Sequence, residues 1–207
     1  VYGFPAPNVT GMVEISAIDT LASHLDNLAN GQRIGILGDN TISEHKSIAA
    51  YNQKFFDGEA LVWFYNNFSE FKELFLAAQE EVDQLIISNN ASILDWDDAQ
   101  AIDFLKQNMK IPTGSHNRHM ASFVVYTILK EPEEHGEWAA QTALDIIAGA
   151  SPSGIPLTHN QRGGLIVNIG MAEVIDAVVP VSTLKAADKV IGQESVQGLK
   201  EQDQNNQ

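Results

Sequence analysis

The sequence predicts an α/β protein: a parallel sheet with helices on both faces. Two observations carry this expectation. Short apolar runs bounded by turn residues, the mark of strands buried on both sides, alternate along the chain with stretches of helical periodicity. The alternation then repeats at a unit length that suits strand–helix crossovers, for which handedness leaves few topologies.

Taken in order, Ile18, Leu21, Ala22, Leu25 and Leu28 recur at helical spacing and stop near Asn30-Gly31. Arg33–Gly38 reads as a buried strand, and Asp39-Asn40-Thr41 can cap the helix that runs on through Phe55. Ala60–Tyr65 is a second strand, rich in aromatic and branched residues. After it Phe71, Leu74, Phe75 and Ala78 mark a helix with Ser69 as its expected cap. Asp83–Ser88 is a third strand, and Ala99, Ile102 and Leu105 a third helix. Ile111 opens a fourth strand ending in Thr113-Gly114-Ser115, and the apolar run Ala121–Leu129 reads as a further strand, its length also allowing a buried helix turn. Glu134–Gly149 is helical, with Trp138, Ala140, Ala143, Leu144 and Ile147 on one face, expected to pack on a sheet. Pro152–Pro156 reads as extended, Leu165–Asn168 as a strand and Pro180–Ile191 as helical. The tail from Gln193 to Gln207 is too polar to bury a core and is expected to be disordered.

Composition narrows the partners. A formal net charge of −15 repels phosphate backbones and anionic membrane surfaces, so neither nucleic acid nor lipid is expected to bind. The chain has no cysteine, which removes disulfides, thiolate nucleophiles and cysteine-held zinc. No apolar run is long enough to span a bilayer, and Val1–Pro7 lacks the basic start and apolar core of a signal peptide.

The strand ends carry the candidate chemistry. In parallel α/β sheets, ligands sit beyond the carboxyl ends of the strands, and here these ends offer Asp39 and Asn40, Asn66 and Asn67, Asn89 and Asn90, then Ser115, His116 and Asn117. Amides, hydroxyls and a carboxylate suit hydrogen bonds to a small polar ligand, with Trp63, Trp96 or Tyr126 as an apolar platform. The bland reading of any one Asn or Asp after a strand is a turn or cap residue. His116 and His119 have no third ligand at a useful spacing, so no metal is expected; no cofactor loop or nucleophile elbow occurs either.

In order along the chain, several segments resemble those of ABC-transporter substrate-binding proteins of the periplasmic-binding type I fold, in the branch with tryptophan- and tyrosine-binding members. They are Asn8-Val9-Thr10-Gly11, Arg33–Leu37, Leu85–Asn90, Lys110–Ser115, Gly136–Ala140 through Ser151–Pro156, Leu165–Asn168 and Ala187–Ile191. The resemblance implies a non-enzymatic solute-binding protein, periplasmic or otherwise extracytoplasmic, that closes about a hinge on a small polar solute, plausibly an amino acid, and docks on an ABC permease. The alternative it implies is a ligand-sensing input domain of the same fold. Asp39, Asn40, Asn89, Asn90, Ser115, His116 and Asn117 are the ligand contacts expected from the strand ends, with Ser115 and Asn89 foremost because both directly follow segments that carry the resemblance. Family members carry a whole N-terminal lobe before the Asn-Val-Thr-Gly segment. Residues 1–160 are therefore expected to be the second lobe, and 161–192 the elements returning to the first, ahead of the tail 193–207.

Overall fold

The computed structural model describes residues 6–192. The polar tail 193–207 and the first five residues lie outside that range. The described chain falls into two compact units, one built from the residues up to Ser16 together with Lys130–Gly164, the other from Ala17–Leu129 together with the residues from Leu165 on.

The larger unit holds a seven-stranded sheet. Its strands are β2 (Ile34–Asp39), β3 (Leu61–Tyr65), β4 (Gln84–Ile87), β5 (Thr113–Ser115), β6 (Tyr126–Ile128), β8 (Leu165–Asn168) and β9 (Lys189–Ile191), in the order β3-β2-β4-β5-β6-β8-β9. All pairings are parallel except β6 with β8. Between the strands run α1 (Ile18–Asp26), α2 (Ile42–Phe56), α3 (Phe68–Glu81), α4 (Asp98–Asn108), α6 (Ile169–Val174) and α7 (Val181–Ala186).

Both faces of the sheet are covered. Leu21 and Leu25 of α1 pack on β5, where Gly114 has no side chain because a Cβ there would lie 2.7 Å from Leu21 Cδ1. On the opposite face Phe71 and Phe75 of α3 meet Phe104 of α4, with centroids 6.4 and 5.9 Å apart. Leu21, Leu25, Leu37, Phe71, Phe75 and Leu85 are fully buried, so the sheet and its helices share one continuous core.

Several local expectations change. Asn67, not Ser69, caps α3: its side chain accepts the Glu70 N–H, and the helix begins at Phe68. The run from Ala121 yields a strand only over Tyr126–Ile128, because the crossover from β5 needs the preceding residues and Arg118–Met120 forms a 3₁₀ turn. Pro152–Gly154 is a 3₁₀ turn rather than extended. The stretch from Pro180 splits into α7 and the strand β9.

The break expected at residue 160 does not match the compact units. Leu165–Asn168 is buried at every position and needs strands on both sides; it takes the free edge of β6 and is covered by β9. The Asn168 side chain pins the join, donating to the Ala121 carbonyl at 3.1 Å and accepting the Met171 N–H at 3.2 Å.

The smaller unit pairs β1 (Met12–Val13) in parallel with β7 (Thr158–His159) and carries α5 (Pro132–Ile147). Thr10 donates to the Ile155 carbonyl at 2.8 Å, and Asn160 exchanges two hydrogen bonds with the Ile15 backbone. The buried Glu134 carboxylate accepts the N–H groups of Gln161 and Arg162, both at 2.8 Å, and these bonds hold its pKa below the usual value. Glu134 therefore ties a loop down as well as standing in the first turn of α5. The face expected to be core is instead open: Leu144 is 60% and Ile147 82% exposed, while Trp138 is half-buried. Two strands of two residues each give that face too little sheet to lie against.

Candidate functional site

Chain order puts the switch point of the sheet between β2 and β4. The connection from β2 passes through α2 to β3 on one side, while that from β4 passes through α4 to β5 on the other. Loops diverging there leave a crevice at the carboxyl ends of the strands. The loop after β2 begins at Asn40, and that after β4 contains Ser88–Ser92.

Asp39, the last residue of β2, is 1% exposed and spends its carboxylate on the neighbouring loop. Its Oδ2 accepts the Ser92 N–H at 3.0 Å and, at the edge of bonding range, Asn89 Nδ2 at 3.5 Å. Thr41 caps α2 and also reaches Asp39 Oδ1 at 3.4 Å. Asp39 thus fixes the geometry of the crevice from beneath.

Behind it lies a second acid that sequence reasoning missed. The first turn of α2 sits close against β2 because Gly38 carries no side chain; a Cβ there would come within 2.7 Å of Ile48 and 3.0 Å of Glu44. Glu44 is consequently buried, and the Ser88 hydroxyl donates to its Oε1. Burial raises the Glu44 pKa and the nearby Asp39 charge adds to the rise, while the Ser88 hydrogen bond opposes it. The Tyr65 hydroxyl donates to the Asn89 carbonyl, and burial, reinforced by Asp39 and Glu44, raises that phenol as well.

The remaining predicted residues divide into two groups. Asn40 is exposed and donates to Asn66 Oδ1 at 2.8 Å, with His45 Nε2 2.7 Å from its own Oδ1. The His45 ring stacks on Phe64, 3.6 Å between centroids and 11° from parallel, which puts an aromatic face beside these amides. Asn89 is half-buried, and its Oδ1 accepts the Ala91 N–H at 3.3 Å. Asn90 is 8% exposed, and its side chain, with no hydrogen bond among the described residues, leaves its amide open to solvent. Asn117 donates to the Ser88 carbonyl at 2.7 Å. Asn40, Asn89 and Asn90 flank the crevice, and Asn117 joins them through the end of β4.

Ser115 and His116 are turned the other way. Ser115 is fully buried, its hydroxyl 3.4 Å from the Ser88 carbonyl and accepting the Asn117 N–H at 3.3 Å. His116 is buried edge-on against Tyr51, 5.4 Å between centroids. Both brace the edge from within. The suggested aromatic platforms pack against the core, with Trp63 and Trp96 half-buried. Trp63 lies over Gly35, and Tyr126 is fully buried beside His24. Trp96 packs edge-on among Phe68, Phe71 and Phe123 and donates its indole N–H to Asp98 at 3.0 Å. What faces outward is a set of neutral amides with Phe64 and His45 beside them, suited to holding the polar groups of a small molecule.

No protein-family model matches this chain, and no curated protein does. Solved structures do. The ABC domain in complex with L-Trp from Streptococcus pneumonia aligns over 89% of this chain with a TM-score of 0.57 and 18% identity, a conserved domain protein from Vibrio cholerae over 89% with 0.58 and 16%. The ligand-free, open structure of CD0873, a substrate-binding protein with adhesive properties from Clostridium difficile, aligns over 88% with a TM-score of 0.67 and 15% identity. A LacI-family transcriptional regulator from Bifidobacterium animalis shares the architecture over 75%, with a TM-score of 0.51 and 14% identity. The chain spans 65%, 63% and 62% of the first three structures, under two thirds of each. The shared feature is the periplasmic-binding type I fold.

Proposed function

We propose that this chain is the solute-binding component of an ABC transporter, not an enzyme, and that it holds a small polar solute at the crevice between β2 and β4. Asn40, Asn89, Asn90 and Asn117 contact the solute; Asp39, Ser115 and His116 hold those contacts in place. The solute is enclosed when a second lobe closes on this edge about a hinge, and the closed form is presented, outside the cytoplasm, to an ABC permease. The observation that supports this most strongly is the grouping of Asn40, Asn89, Asn90 and Asn117 at the switch point of a fold shared with a substrate-binding protein. Amides beside one aromatic face can donate to a carboxylate and accept from an ammonium group, which suits an amino acid. The alternative, a ligand-sensing domain, draws on the LacI-family neighbour and uses the same crevice.

The test is a two-dimensional NMR titration of the chain with each common L-amino acid, following the side-chain amide signals of Asn40, Asn89, Asn90 and Asn117. Solute held by one lobe binds at the weak end of the range, so each is added to about 10 mM, enough to see a millimolar Kd. One amino acid should shift the Asn90 and Asn117 signals, and Asn90→Ala should abolish the response without lowering Tm. If no amino acid moves them, the substrate assignment fails.

A further inference from the structure

The other end of the larger unit carries a second groove. Because β8 runs antiparallel to β6, the carboxyl ends of β8 and β9 lie at the opposite end of the sheet from Asp39, Ser88 and Ser115. From there a groove of about 900 Å³ runs along the β8–β9 side of the sheet toward Arg118, and its apolar floor includes Ile102, Ile166 and Met171. That volume falls within the range of small-molecule sites.

Its rim is basic in a strongly acidic chain. Lys106, Arg118 and Lys189 line it, against one acid, Glu173. Among the described residues Arg33, Lys110, Lys130 and Arg162 are in ion pairs with carboxylates. Among the described residues Lys106, Arg118 and Lys189 are in none, as are Lys46, Lys54, Lys72 and Lys185, but only these three line the groove. Three cations that α4, the β5–β6 crossover and β9 supply separately thus meet around one apolar floor.

We infer that this groove binds an organic anion: a small molecule with an apolar body and a carboxylate or phosphate head. The body lies on Ile102, Ile166 and Met171, and the head pairs with Lys106, Arg118 and Lys189, where the Arg118 guanidinium can hold two oxygens at once. Glu173 selects against cationic amphiphiles and sets a limit on head charge. The inference goes beyond the solute crevice and does not depend on it.

Calorimetric titration with hexyl phosphate, hexanoate and hexanol tests it. Hexyl phosphate and hexanoate should each bind at least about tenfold more tightly than hexanol, since the head supplies about 1.4 kcal/mol or more. The exposed triple variant Lys106→Gln, Arg118→Gln, Lys189→Gln should keep its Tm and lose that advantage, and Met171→Gln should weaken all three ligands. Phosphate binding with no response to hexanoate would assign the head to phosphate esters. Equal affinity for hexanol and both anions, or anion binding untouched in the triple variant, would overturn the inference. So would anion binding that Asn90→Ala removes, since it would then belong to the crevice.

Discussion

Replacing Asp39 with Ala separates a residue that positions the crevice from one that touches solute. The buried carboxylate holds the Asn89–Ser92 loop through the Ser92 N–H at 3.0 Å, whereas its contacts to Thr41 and Asn89, at 3.4 and 3.5 Å, are too long to add much. A hydrogen bond to a charged group contributes about 1.5–3 kcal/mol, and the exposed side of Ser92 lets water replace part of it. Asp39→Ala should therefore cost about 1–2 kcal/mol. Asp39→Asn keeps an acceptor where the carboxylate was and removes a charge that disfavours ionised Glu44, so its cost should stay below about 1 kcal/mol. Urea unfolding followed by circular dichroism gives both values. Hydrogen exchange at the Ser92 amide locates the effect, which should be faster in the Ala variant and nearly unchanged in the Asn variant. Equal losses in the two variants would refute the argument, because charge rather than acceptor position would then hold the loop.

Two further outcomes follow from the packing around this edge. The Glu44 carboxyl has its folded-state pKa raised, chiefly by burial, so the folded protein holds the proton to higher pH than the unfolded chain does. Its share of stability is greatest below the usual carboxyl value of 4.5, falls as pH rises through the window up to the raised value, and stays lost above it. Glu44→Gln, which can still accept from Ser88, should raise the urea midpoint at pH 7 and lose that gain near pH 4. A gain independent of pH would contradict the assignment. Gly114→Ala should destabilise by about 1–3 kcal/mol, since the new methyl meets the buried Leu21 side chain at 2.7 Å. Adding Leu21→Ala should relieve part of that overpacking, so the two costs measured by unfolding should sum to more than the cost of the double variant.

The parallel sheet was legible because its strands are buried on both faces. Arg33–Gly38, Asp83–Ser88 and the strand from Ile111 to Ser115 each announced themselves by composition, since a strand with two covered faces has no polar side to blur the pattern. Of the helices of that unit α1, α3 and α4 were equally plain from their spacing, whereas α6 was not anticipated and α7 was merged with β9. What escaped was set by long-range pairing. Leu165–Asn168 looks the same whether it returns to another lobe or stays; the free edge of β6 and the Asn168 bond to the Ala121 carbonyl, which decide it, involve residues 37 to 47 positions away. The α5 face misled for a related reason, because spacing reveals an apolar stripe without revealing whether a sheet is there to cover it.

The candidate site was legible as an edge but not as a set of roles. Topology alone brings the ends of β2, β4 and β5 together, so naming Asp39, Asn89, Asn90 and Ser115 from strand ends needed no knowledge of their contacts. The sequence could not separate the polar atoms already spent on the protein from those left for a ligand. Asp39 and Ser115 have the same kind of address as Asn90, yet their oxygens are occupied by Ser92 and Asn117, while Asn90 has no such partner among the described residues. Glu44 was missed because its burial depends on Gly38, six residues earlier, leaving room for α2 to approach. In a polar crevice the residue with fewest internal bonds is therefore the best guide to the ligand, and that is a property of the assembled edge rather than of any segment in it.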